Sequence, residues 1–130
     1  CQENRPNKKH HYRSCDFIVE DADEKFDLVF SQGTIDNSYD MDEYLAAMVR
    51  WSQGWIYVTC YRGWFPELTD HQYSWNEEHG CSYNDLSPSR ARQTLERLGC
   101  HSIEISTVAT GNDSIPRETR IIAQVPGKPR

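Results

Sequence analysis

No two glycines in this sequence stand one residue apart. The seven (33, 54, 63, 80, 99, 111 and 127) form no Gly-x-Gly, so the chain carries no dinucleotide fingerprint, and the one Gly-Lys pair is followed by Pro129, so it carries no P-loop. No Cys-x-x-Cys occurs, and the cysteines are odd in number: Cys1, Cys15, Cys60, Cys81 and Cys100. That pattern argues against zinc ligation and against a secreted disulfide framework. No apolar run approaches the ~20 residues that cross a bilayer, so no membrane partner is expected. The chain opens on polar residues (Gln2, Glu3, Asn4, Arg5), which is not a signal peptide. Cys1 rather than Met stands first, and the expectation is a chain that starts inside a longer gene product or has lost an N-terminal piece. His10, His11 and His101 lack ligand spacing with acids or cysteines, and no Ser-His-Asp order appears. No metal is expected. The thiols fit a reducing compartment, and the expected location is cytoplasmic.

What is present is a globular composition. The 130 residues are 37% apolar and 26% charged, with four Trp and seven Tyr, enough for one domain with a small core. The net charge of −6 argues against a nucleic-acid backbone as the main partner. Arg5, Lys8, Lys9 and Arg13 crowd the first fifteen residues. Acids crowd residues 16–43, with Lys25 the only base among them. Solvated faces explain such runs more simply than binding patches do.

Residues 1–14 show no period and read as a loop or disordered segment. Residues 15–130 read as a single α/β domain. Phe17-Ile18-Val19 and Phe26–Phe30 are short apolar runs bounded by polar turns, the pattern of buried strands. Asp40 is placed to cap a helix, with Glu43 three residues on as its capping-box partner. Met41, Tyr44, Leu45, Met48 and Val49 share one face of that helix, and Gly54 follows it as a C-cap neighbour. Trp55–Cys60 are strand formers. Residues 61–86 form a long loop rich in aromatics, and loops of this length are usually functional. Ser87 and Pro88 open a second helix that Gly99 closes. Ile103, Ile105 and Val108, then Ile121, Ile122 and Val125, predict two last strands. Their connection is too short for a crossover, so they pair antiparallel or bend apart.

This order, with these residues, resembles the C-terminal half of a class I S-adenosylmethionine-dependent methyltransferase. Phe26-Asp27-Leu28-Val29-Phe30-Ser31-Gln32-Gly33 resembles the family's fourth strand and the small polar stretch after it. Asp16–Glu20 with Asp21-Ala22-Asp23 resembles the end of the third strand. Trp55–Tyr61 resembles the fifth strand, Ser87–Gly99 the helix after it, and His101–Val125 the closing hairpin. The resemblance covers roughly residues 15 to 125. It implies an α/β fold: a partial Rossmann-like sheet, mostly parallel, with a C-terminal antiparallel hairpin and helices on both faces. The family's Gly-rich segment has no counterpart, and the methionine and ribose ends of the cofactor thereby lose most of their site.

The resemblance also implies a site. S-adenosylmethionine would meet Asp21, Ala22, Ser31, Gln32 and Gly33. Asp21 and Ala22 would serve the adenine, and the other three leave the C-terminal end of a strand, where ligands of open α/β sheets bind. A small-molecule methyl acceptor would meet Thr34, Asn37, Tyr61, Arg62, Trp64 and His71, under the 61–86 loop. Several of these have simpler explanations. Asp36 and Asn37 suit turn chemistry, and the aromatics suit a small satellite core. No catalytic side chain stands out, because methyl transfer needs alignment more than acid–base groups. The alternative is a degenerate, non-catalytic module that dimerises or binds a partner. In the family, strands three and four neighbour strands that are missing here. Residues 26–31 would then present a bare edge, which favours a homodimer. A response-regulator-like domain is a weaker third reading, because no suitable Lys follows Trp55–Tyr61.

Overall fold

The computed structural model describes residues 13 and 15–127. Nine elements follow in order: β1 (Phe26–Gln32), a 3-10 turn (Ile35–Asn37), α1 (Met41–Trp51), β2 (Ser52–Cys60), β3 (Trp75–Asn76), β4 (Cys81–Ser82), α2 (Pro88–Arg97), β5 (His101–Ala109) and β6 (Arg117–Gln124). Four strands form one sheet in the order β1-β2-β6-β5. β1 and β2 pair parallel, while β6 runs antiparallel to both β2 and β5. Three of the four strands therefore point the same way, and the chain ends in an antiparallel hairpin. The fold is mixed α/β, as the order of elements implied.

Local chemistry sets the helix ends. The Asp40 side chain accepts from the backbone N–H groups of Asp42 and Glu43, two donors that the first turn would leave unpaired. Ser87 does the same for Arg90, with Pro88 in the first turn, and Gly99 stands just past the end of α2. The apolar face of α1 (Met41, Tyr44, Leu45, Met48) packs on Ile56, Val58, Ile121 and Ala123. Ala91 and Leu95 of α2 close the same core. Ile56 pairs with Ala123 and Val58 with Ile121 across β2 and β6, so these residues share one face of the sheet.

Three local expectations change. Residues 17–19 form no strand. Val19 and Glu20 donate to the Asp16 carbonyl in a turn, and the Phe17 carbonyl accepts from Arg50 and from Trp51 Nε1. A strand needs a neighbour, and among the described residues none lies beside this run. Gly54 is not a helix-cap neighbour; it lies inside β2. The register there slips, Phe26 facing Ser52 but Leu28 facing Trp55, which makes Gly54 part of a bulge. A Cβ at Gly54 would run into the Asp27 carbonyl oxygen. Finally, α1 and α2 pack on each other and on one face of the sheet. The expectation of helices on both faces is met on that face alone, among the described residues. Residues 1–12 and 14 of the expected N-terminal loop lie outside the described residues. The 61–86 segment is folded rather than loose: β3 and β4 form a short hairpin, flanked by a Gln72–Asp85 bridge.

Candidate functional site

Parallel β1 and β2 end side by side, and the turns that leave them carry most of the predicted site. Gly33 follows β1 with φ +64, a left-handed conformation that strains any other residue. Its N–H donates to the Thr59 carbonyl, and a Cβ there would meet the Tyr61 ring at 3.7 Å. The turn after β1 thus lies flat against the turn after β2. Asn37 Nδ2 ties the two together by donating to the Tyr61 hydroxyl (3.1 Å) and to the Ser82 carbonyl (2.9 Å). Arg62 stands next, its Nε 3.4 Å from Asp85 and its guanidinium 5.8 Å above the Tyr83 ring.

A cleft of about 390 Å³ opens between β1 and α1. Ser31, Gln32 and Thr34 line it at one end, Val29, Phe30, Tyr44 and Met48 along its length, and Phe17, Phe26 and Trp51 at the other end. Ser31 Oγ and the Tyr44 hydroxyl lie 2.6 Å apart across it. Burial raises the pKa of the Tyr44 hydroxyl, so it stays protonated near neutral pH. The walls are largely apolar, and the polar groups gather at the Ser31–Thr34 end.

Asp36 sits beneath these turns, fully buried. Its Oδ2 accepts from the Arg62 N–H at 3.0 Å, while Oδ1 has no partner. Burial drives its pKa up to about 6 from 3.8, against the pull of backbone N–H donors that include Arg62. The sign follows directly. Between pH 3.8 and 6 the folded chain holds a proton that the unfolded chain has released, so this group's contribution falls as pH rises through that window. Asp36→Asn keeps an acceptor for Arg62 and removes the charge. The variant should gain stability relative to wild type as pH goes from 4 to 7, by roughly 2 kcal/mol. Urea unfolding of both proteins at the two pH values measures this. An unchanged difference would mean that Asp36 does not titrate as its burial demands.

The structure does not bring every predicted residue to this place. Asp21 and Ala22 lie at the other end of the sheet. The Glu20 carbonyl beside them accepts from Arg50, in the last turn of α1, whereas Ser31–Thr34 stand where α1 is about to begin. With no strand over residues 16–20, this segment turns under the helix instead of running beside β1. His71 is also elsewhere. Its side chain is 1% exposed and both ring nitrogens are engaged. Nδ1 accepts from the Ser87 N–H at 3.0 Å, so Nε2 carries the proton and donates to Asp42 Oδ1 at 3.2 Å. Burial lowers the pKa of His71, which keeps the ring neutral. His71 is a tie between the long segment and both helices. Trp64 lines a separate hollow of about 280 Å³ with Arg62, Gly63, Phe65 and residues 114–117.

Tyr44 and Met48 of the cleft were legible in sequence only as the core face of a helix. Asp36 was legible as turn chemistry, with substrate orientation as the alternative. Among the described residues, no three His, Cys, Asp or Glu side chains converge to hold a metal, and no helix is long and apolar enough to cross a membrane.

No family model and no curated protein matches the sequence. Solved structures do match the fold. One is a SAM-dependent methyltransferase from Methanosarcina mazei, with a TM-score of 0.57 at 14% identity over 87% of this chain and 66% of that one. The fold of this chain is similar to that of these structures, and at this identity the similarity is one of fold. Another match is the N-terminal domain of EvdMO1, crystallised in the presence of SAH and D-fucose. Its TM-score is 0.57 at 15% identity, over 88% of this chain and 54% of that one. This chain thus spans about half to two thirds of the structures it matches. At such identities the likeness is one of fold, and function has to rest on the site.

Proposed function

We propose that the chain is the C-terminal part of a class I S-adenosylmethionine-dependent methyltransferase that methylates a small molecule. One observation carries the reading: a cleft runs along β1 from Phe26 to Thr34, and its polar lining, Ser31, Gln32 and Thr34, stands at the C-terminal end of a parallel strand pair, where ligands of open α/β sheets bind. The cleft fits part of the cofactor. Its volume of about 390 Å³ lies within the range of small-ligand pockets, and its aromatic walls suit a purine. No carboxylate lines it, so the ribose hydroxyls and the methionine end find no acidic partner here. The purine end fits and the remainder does not.

Bound cofactor would supply a methyl group on a sulfonium, already activated for displacement. The residues of this chain then have to position and shield. Gly33 lets the turn after β1 pack against the Tyr61 ring of the turn after β2. Asn37 holds the Tyr61 hydroxyl, and Asp36 holds the Arg62 backbone, which fixes two acceptor-side groups at the same strand ends. Preset geometry of this kind is the main lever in a direct displacement. The degenerate, partner-binding module remains the second reading. It is favoured by the missing acidic partner and by the absence of any Gly-x-Gly.

Isothermal titration with S-adenosylhomocysteine tests the first. The enzyme reading expects micromolar binding by the wild type and at least tenfold weaker binding by Gly33→Val. A folded chain that binds nothing at millimolar ligand would be an incomplete enzyme or the non-catalytic module, and the full gene sequence then decides between them.

A further inference from the structure

We propose that His71 is a proton-operated latch, whose protonation frees residues 68–86 from both helices and draws the Asp85 carboxylate away from Arg62. This goes beyond the methyltransferase reading and does not depend on it. The His71 side chain is 1% exposed and sits where three elements meet. Nε2 donates to Asp42 Oδ1 in the first turn of α1 (3.2 Å). Nδ1 accepts from the N–H of Ser87, the N-cap of α2 (3.0 Å). Two more bonds close the same junction. Ser87 Oγ donates to the Leu68 carbonyl at 2.7 Å, and the Tyr73 hydroxyl accepts from the Met41 N–H at 3.0 Å. Residues 68–73 are thus tied to the starts of both helices, with the His71 ring at the centre.

Only a neutral ring can make both bonds. Neutral imidazole offers one donor and one acceptor, whereas the charged ring offers two donors. A proton on Nδ1 would point at the Ser87 N–H, which the start of α2 holds in place. Two buried donors face to face leave both unpaired, at the full desolvation cost. The ring escapes only by swinging into water, and its neighbours move with it. Gln72 exchanges two backbone bonds with Asp85, at 3.0 and 2.9 Å. Displacing residue 71 therefore pulls on Asp85, whose carboxylate sits 3.4 Å from Arg62 Nε. Burial is the largest influence on the ring and lowers its pKa. Asp42 of α1 and Asp70 of the long segment oppose that, and Arg90 of α2 adds to it. Tyr73, edge-on to the ring at 6.2 Å, stays neutral because burial raises its pKa. The sign follows. The latched ring titrates below the ordinary 6.5, so the latch is fully favoured above that pH and weakens as pH falls below it.

Amide hydrogen exchange on the full chain at about pH 7.5 and about pH 5 tests this, with rates corrected for intrinsic exchange. The amides of Gln72, Asp85 and Ser87 should lose about tenfold in protection at the lower pH. Linkage to one proton caps the loss near thirtyfold, from the ~1.5 pH units between 6.5 and 5. Amides of residues 56–60 and 119–123, in β2 and β6, should keep their protection. His71→Gln has no ring to titrate and should show equal protection at both pH values. Asp36→Asn should keep the fall, which separates the latch from the titration of Asp36. If His71→Gln unfolds, ring nitrogen NMR of the wild type decides: the ring should charge over the same pH interval in which Gln72 and Asp85 lose protection. Five results would each overturn the proposal: no fall, a fall shared by β2 and β6, a fall that persists in His71→Gln, a fall that vanishes in Asp36→Asn, or a ring that charges while protection holds.

Discussion

Gly54→Ala is expected to destabilise the chain by about 3 kcal/mol, the upper end for forcing a methyl group into packed structure. The added Cβ meets backbone, the Asp27 carbonyl oxygen, and not the end of a movable side chain. Its surroundings are also tied. The Gly54 N–H donates to Ser52 Oγ, and its carbonyl accepts from the Val125 N–H at 2.9 Å. To make room, β1 must move away from β2 at the bulge, or β2 must slip on β6. Urea unfolding at neutral pH measures the effect. An unstrained Gly-to-Ala change in a strand stabilises by about 0.5–1 kcal/mol, so a loss below about 1 kcal/mol would mean that the bulge is soft and that β1 is held by its other pairs.

Asp42→Ala should cost a similar amount, for an electrostatic reason. The Asp42 carboxylate accepts from His71 Nε2, from Arg90 Nε and Nη2 at 3.2 and 2.8 Å, and from Thr94 Oγ1 at 2.8 Å. Partial burial pushes its pKa up, but hydrogen bonds from Arg90 and Thr94 outweigh that and hold it low, so it stays ionised. Removing it strips the acceptor from the buried His71 and unpins α2 and the long segment from α1. A buried donor left unpaired costs about 1–3 kcal/mol and charge-assisted bonds about 1.5–3 each. Arg90 is a third exposed and recovers water, so the sum should come to roughly 3 kcal/mol. Asp42→Asn keeps an acceptor oxygen and should cost less than half of that. Equal losses in the two variants would place the effect in the first turn of α1 and not in the network.

The two changes show what the sequence reveals. Caps were legible because they are local: Asp40, Ser87-Pro88 and Gly99 act within a few residues of themselves. β1, β2, β5 and β6 were legible because β-branched and aromatic runs between polar turns need buried, extended backbone. Phe17-Ile18-Val19 carries the same signature and still forms a turn, because a strand also depends on a neighbour that no local pattern records. Gly54 shows the same limit. A helix cap and a bulge both call for glycine, and only the register of β1 on β2 distinguishes them. Amphipathic spacing gave each helix an apolar stripe but did not say which face of the sheet it would meet.

The site divides along similar lines. Ser31, Gln32 and Thr34 come together because topology alone sends ligands to the ends of parallel strands. Asn37, Tyr61 and Arg62 join them because they leave the same two strands. His71 lay in an aromatic-rich segment and looked available. Its burial depends on Asp42 and Ser87, 29 and 16 residues away along the chain. Asp21 followed the fate of the strand that did not form. Tyr44 reaches the cleft from a helix face that periodicity can only mark as core.

Amide hydrogen exchange with and without S-adenosylhomocysteine tests most directly whether a methyltransferase-type ligand binds where β1 and β2 end. Added protection should fall on residues 31–37 and 61–62, with residues 20–22 at the far end of the sheet unchanged. Protection confined to residues 20–22, or no change anywhere at millimolar ligand in a folded chain, would contradict that placement.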